Sequence, residues 1–185
     1  MPRIIDHARE QIQNVAAEML ERGGYARLTI RAVARRCGIG VGTIYNYYPS
    51  KDDMVRDIML RDWAQTRAAM EKITCTAGDL HEGVRNFFSP LQSFIAAYRD
   101  TWRVMSGEGG AQVHHEIRYS PAEFRREMDA MLRDLLDRTS ARYQRLDEER
   151  KAFLRGFVAK NLVAYAMEPA TDLALLEEVL LAPLE

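Results

Sequence analysis

Between Arg22 and Lys51 the chain carries six cations (Arg22, Arg27, Arg31, Arg35, Arg36, Lys51) and not one acid. A run of fixed positive charge is the usual electrostatic footprint for a phosphate backbone. Thr43, Tyr45, Asn46 and Tyr47 stand in the same window. The charge is local. The whole 185-residue chain has 26 Lys and Arg against 27 Asp and Glu, a net of −1, which excludes a uniformly basic coat. Residues 1–62 sum to +2 and the remainder to −3, so one end can meet a polyanion while the rest stays mildly acidic. A charge run of this kind also serves as an ordinary solvated face.

Other chemistry is thinly represented. His7, His81, His114 and His115 are scattered apart from the last pair, and sequence neighbours do not face one another on a helix. No cysteine or acid stands at metal-ligand spacing from them, so neither a metal nor a cofactor is expected. Ser106 to Gly110 is glycine-rich but lacks the following Lys-Ser/Thr and the preceding strand of a phosphate loop. No nucleophile is paired with a base, and an enzyme is not expected. Cys37 and Cys75 are too few for a disulfide framework, and Cys37, on an apolar helix position, reads as a small buried hydrophobe rather than an oxidation sensor. No apolar run approaches the roughly 18 residues of a membrane span. The N-terminal MPRIIDHAREQ lacks the apolar region of an export signal. The expectation is a cytoplasmic protein with no membrane partner.

The elements that must position the basic window are helices throughout. Ile5, Ala8, Ile12, Val15, Ala16, Met19 and Leu20 follow the helical period and stop at Gly23-Gly24. Thr29 can cap a short helix from Ile30 to Cys37, which Gly38 ends, and a third runs from about Val41 to Tyr47 before Pro49. Ser50-Lys51-Asp52-Asp53 has the form of a capping box and opens a long helix to about Ile73. Asp79 with Glu82 starts the next. Ser106 to Gly110 breaks it, and Ser120-Pro121-Ala122-Glu123 starts another that runs to about Tyr143. Two more follow, from about Asp147 to Met167 and from about Thr171 to Leu181. Alternating β-branched stretches and hairpin dipeptides are missing, which makes the fold all-α.

Two short helices about a glycine turn have helix-turn-helix geometry, in which the second lies in the DNA major groove and the first crosses the backbone. Ala34 is small where the helices approach, and Val33, Cys37, Ile39, Ile44 and Tyr47 have the spacing to pack inside. A plain helical hairpin has the same outline. The residues Leu28-Thr29-Ile30-Arg31-Ala32-Val33-Ala34 and Cys37-Gly38-Ile39-Gly40-Val41-Gly42-Thr43-Ile44-Tyr45-Asn46-Tyr47-Tyr48-Pro49-Ser50-Lys51 go further. They resemble the DNA-binding signature of the tetracycline-repressor (TetR) family, over about residues 5–62. The resemblance implies about nine helices, with a DNA-binding domain over 1–50 and an effector-binding and dimerisation domain over 51–185. It implies DNA-contacting roles for Thr29, Arg31, Val41, Gly42, Thr43, Tyr45, Asn46, Tyr47 and Lys51. Thr29 and Lys51 stand where family members hold phosphates, and Arg35 would extend that wall beside Arg31. Two departures stand out: Gly40 replaces the usual hydroxyl cap, and Tyr47-Tyr48 replaces the common His-Phe. For Tyr48, core packing is the preferred reading.

Beyond the signature, Phe87, Leu91, Phe94, Tyr98 and Trp102 form an aromatic stripe, and Phe124, Met128, Met131 and Leu135 form a second, apolar one on the following long helix. With Trp63 they are either ordinary core or the lining of an effector pocket, and the resemblance favours a pocket for a small apolar or aromatic molecule. The last two helices carry Phe153, Leu154, Phe157, Val158, Leu162 and Tyr165 with small Gly156, Ala159 and Ala164, an apolar surface suited to a four-helix homodimer interface. The expected function is a ligand-responsive repressor that leaves a pseudo-palindromic double-stranded operator when its effector binds. A helical protein–protein adaptor making no use of DNA is the alternative.

Overall fold

Short-range signals at the ends and apolar faces along the length decide where this chain is helical. The computed structural model describes residues 7–105, 121–167 and 173–182 together with Leu184, and among these there are nine helices and no strand. They are α1 (Ala8–Arg27), α2 (Ile30–Cys37), α3 (Val41–Tyr45), α4 (Lys51–Thr74), α5 (Leu80–Met105), α6 (Pro121–Thr139), α7 (Ala141–Gln144), α8 (Glu148–Ala166) and α9 (Leu173–Leu181). The all-α expectation holds. The expected break at Ser106 to Gly110, the His114-His115 pair, the Ser120 cap and the start of the last helix at Thr171 lie outside the described residues.

Several ends fall where local chemistry puts them. Gly24, at φ 68° and ψ 176°, interrupts the helical backbone of α1. Ser50 Oγ accepts the Asp53 amide at 3.0 Å and donates to the Asp53 carboxylate at 2.7 Å, which closes the start of α4. Asp79 accepts the Glu82 amide at 2.8 Å before α5, and Asp147 accepts the Arg150 amide at 2.8 Å before α8. Two ends differ from expectation. α3 stops at Tyr45, and Tyr47 lies in a turn whose amide donates to Ile44 O at 3.0 Å. Pro49 disfavours helical backbone at the residue before it, so the helix cannot run on. α6 stops at Thr139, short of Tyr143. Ser140 is extended there, its Oγ accepts the Tyr143 amide at 3.1 Å and donates to Leu184 O, and the separate turn α7 follows.

The chain divides into two compact units, residues 1–62 with 97–116 and residues 63–96 with 117–185. In the first, Ile12 and Ala16 of α1, Val33 and Ala34 of α2, Ile44 of α3 and Met54, Val55 and Ile58 of α4 are buried. Tyr48 joins them, and its hydroxyl donates to Asp57 at 2.7 Å. Asp57 also accepts from Arg9 and from Gln13, each at 3.1 Å. In the second unit, Phe87, Phe88 and Leu91 of α5, Leu132, Leu135 and Leu136 of α6, and Val158 and Leu162 of α8 are buried, and burial stabilises each such side chain by about 1.5–3 kcal/mol. Arg155 is buried among them without being stranded: it donates to Asp129 at 2.7 Å and to the Tyr143 hydroxyl at 2.6 Å, tying α8 to α6 and α7.

Candidate nucleic-acid interface

The interface is built by how α2 and α3 begin and end. Thr29 is extended, and its Oγ accepts the Ala32 amide at 3.2 Å, leaving the hydroxyl proton to donate outward. α2 ends at Gly38, at φ 68° and ψ 27°, with the Ile39 amide returning to Ala34 O at 3.0 Å. A side chain there would cost roughly 1–2 kcal/mol in the left-handed region, so glycine sets the sharp turn into α3. Gly40 caps α3 by backbone alone, with no side-chain bond, as its departure from a hydroxyl residue implies.

α3 has two unlike faces. Ile44 is wholly buried in the first unit, and Val33, Ala34 and Cys37 of α2 are buried with it. Burial pushes the Cys37 thiol up, which fits the small-hydrophobe reading. Val41, Gly42, Tyr45 and Asn46 lie on the opposite face at helical spacing and are all exposed, Tyr45 by 52%. Tyr47 is exposed in the turn beyond, and Thr43 is half-buried. Of the residues expected inside, Tyr47 is therefore outside and Ile39 only half-buried. Tyr48 is core, as expected.

The acid-free window is not acid-free in space. Glu18 of α1 pairs with Arg22 at 2.9 Å and with Arg36 at 3.0 Å, which partly neutralises two of the six cations. Arg27, Arg31 and Arg35 are exposed, and Arg31 and Arg35 share a face of α2. Lys51 sits at the first residue of α4, with its ammonium 3.6 Å from the centroid of the Tyr25 ring. The Tyr25 hydroxyl donates to Asp52. Burial, then the Asp52 contact, pushes that hydroxyl up to about 12. Burial lowers the Lys51 ammonium, with Asp52 acting the other way. Tyr25 was not among the expected site residues. Its one sequence signal is an aromatic directly after Gly23-Gly24.

The expected effector residues divide between the units. Trp63, Phe87, Phe94, Phe124, Met128 and Met131 belong to the second. Trp63 packs against Phe94 and Phe124 with ring centroids 5.2 and 4.8 Å away, and its indole N–H donates to Glu127 at 2.7 Å. Tyr98 and Trp102 belong to the first unit, where the Tyr98 hydroxyl donates to Asp62 at 2.5 Å. Tyr98 lines a cleft of about 780 Å³ with Glu18, Glu21, Tyr25 and Asp62. A second cleft, of about 410 Å³, takes only Met131 from the expected set, with Arg67, Glu71, Glu127 and Asp134 also in its wall. On α8, Phe153 and Phe157 stand exposed and stacked, 6.4 Å between centroids. Leu175 and Val179 of α9 are 60% and 64% exposed. Val158 and Leu162 face the core instead. No helix among the described residues is long and apolar enough to cross a membrane.

Residues 12–58 match the family model of the bacterial regulatory proteins, tetR family. The transcriptional repressor KstR of Mycolicibacterium smegmatis is 30% identical over 70 residues, which cover 38% of this chain and 34% of that protein. The match thus spans about a third of that curated relative's length. Two solved structures share the whole fold. FadR of Bacillus subtilis in complex with stearoyl-CoA has a TM-score of 0.61 at 21% identity, over 95% of this chain and 97% of that one. The superantigen PfiT has 0.59 at 25%, over 94% of each. A transcriptional regulator and a superantigen share these helices, so function has to be argued from the site and not from the fold.

Proposed function

We infer, for a chain whose residues 12–58 match the family model of the bacterial regulatory proteins, tetR family, a sequence-specific DNA-binding transcriptional repressor. The observation that carries this reading is the two-faced α3: Ile44 locked in the core and Val41, Gly42, Tyr45 and Asn46 exposed opposite it, flanked by Thr29, Arg31 and Lys51. Asn46 and Thr43 read base edges; Tyr45, Tyr47, Thr29, Arg31 and Lys51 hold sugar and phosphate. Gly42 lets the backbone approach the duplex. Residues 1–50 do the reading, and residues 51–185 bind the effector and dimerise. The protein acts in the cytoplasm.

The dimer forms through α8 and α9. Their exposed Phe153, Phe157, Leu175 and Val179 are large apolar groups that a monomer gains nothing by showing to water. Two copies set their α3 edges about 34–36 Å apart, one turn of the duplex. The effector is a small apolar or aromatic molecule that enters the Trp63 cluster, where Glu127 supplies a polar tip. A protein of the same fold holding stearoyl-CoA supports a greasy ligand. The effector favours a packing of α4 that misplaces the two reading edges, and a preference of about 1–3 kcal/mol changes operator affinity 5- to 150-fold.

Selection of bound duplexes from a random pool tests the reading. A pseudo-palindrome with half-sites one turn apart is the expected product, released when a small apolar or aromatic molecule, or stearoyl-CoA with its apolar acyl chain, is added. A pool that gains no sequence, with no salt-dependent retention of DNA, contradicts it and favours the adaptor.

A further inference from the structure

Lys51 is the flexible member of the phosphate wall: four methylenes and a point charge, which in most surface positions sample many rotamers. Here that freedom is already restricted. The ammonium stands 3.6 Å from the Tyr25 ring centroid, within the range of a close cation–π contact. The ring is itself held at both ends. Its hydroxyl donates to Asp52, the residue after Lys51, and its backbone carbonyl accepts the Leu28 amide at 3.3 Å just after the Gly24 break. Asp52 follows Ser50, whose capping bonds with Asp53 fix the first turn of α4. One side chain from the end of α1 therefore sets where the first cation of α4 points.

We propose that Tyr25 is a positioning residue for DNA binding: with Asp52 as its anchor, it holds Lys51 extended toward the phosphate before the duplex arrives. This rests on the DNA-binding reading above. The ring touches no DNA, adds no charge and acts through Lys51 alone. Its removal leaves the number of neutralised phosphates unchanged while the lysine must be ordered at the moment of binding. Affinity should fall without a change in salt slope, whereas loss of Lys51 itself lowers the slope by about one.

The test is the binding of the full chain to mixed-sequence duplex DNA over a series of salt concentrations, for wild type, Y25L, K51A and the double variant. Y25L should weaken binding by about two- to five-fold, the equivalent of a partly exposed cation–π contact, with an unchanged slope. Y25L in the K51A background should cost nothing further, and Y25F, which keeps the ring, should stay closer to wild type than Y25L. Equal loss from Y25L in both backgrounds overturns the proposal. A second readout stays available if Y25L does not fold: in the DNA-free wild type the Lys51 ε-methylene protons should be shifted upfield by the ring. Unshifted protons overturn it as well. A wild type that shows the ring shift yet no salt-dependent DNA binding defeats the repressor reading and this proposal with it. A wild type that binds DNA with additive variants defeats this proposal alone.

Discussion

Asn46 and Tyr48 stand two residues apart and do opposite work. Asn46 is exposed at the end of α3, and its side-chain amide has no bond among the described residues that the fold would lose. Replacing it with Ala should leave the melting temperature within a degree or two and flatten base preference at one operator position, at about 1–3 kcal/mol of lost discrimination. Equal losses on selected and mixed-sequence duplexes would place it outside base readout. Tyr48 is 2% exposed and bonded to Asp57. Burial, then the bond to Asp57, pushes its hydroxyl from 10.0 up to about 12. The folded state thus holds this proton more tightly than the unfolded chain does. Its contribution is whole below pH 10 and is lost as the pH rises toward 12, with Tyr25 acting the same way over the same interval. A melting series from pH 9 to 12 should show the decline, and Y48F should decline less steeply than wild type. Matching slopes would remove Tyr48 from the titration.

Among the elements, what was legible in the sequence was what is decided within a few residues. Thr29, Ser50 and Asp79 announce their helices because a cap acts over three positions. Gly38 announces its turn because only its own backbone matters. The rest depends on partners far along the chain. Glu18 reaches Arg36 at 3.0 Å across 18 positions, so a window without acids still loses part of its charge. Tyr25 meets Lys51 and Asp52 across 26 and 27 positions, a contact that no helical spacing encodes. Periodicity named the aromatic stripes but does not say which rings share a cluster, and it carried α6 through Ser140 because apolar spacing continues beyond the break. Gly83 belongs with these hidden features. It lies in the middle of α5's first turns with no local reason to be glycine, and a Cβ there would stand 2.2 Å from Leu135 Cδ1 of α6. Helix propensity favours Ala over Gly by about 1 kcal/mol, but overpacking costs about 1–3 kcal/mol. G83A should therefore come out destabilised, by about 1 kcal/mol in urea unfolding, and a stabilised G83A would show that α5 and α6 are not this close.

For the molecule as a whole, the proposed reading of a pseudo-palindrome needs two copies, and the apolar residues left exposed on α8 and α9 are the surface proposed to join them. Leu175 and Val179 lie on one face of α9, 60% and 64% exposed, so charge there disturbs little of the core. L175E/V179E should sediment as a folded monomer with the helicity of wild type. It should lose most of its preference for the selected operator over mixed-sequence duplex, because a single α3 edge reads only half a site. A variant that remains dimeric would move the interface elsewhere. At the core of DNA binding is the proposed entry of the edge formed by Val41, Gly42, Tyr45 and Asn46 into the major groove. Its most direct measurement is methylation protection of guanine N7 in the bound operator, since that atom faces the major groove. Two protected patches on one face of the duplex, about 10 base pairs between centres, are the expected result. Binding that leaves every major-groove N7 open would contradict it.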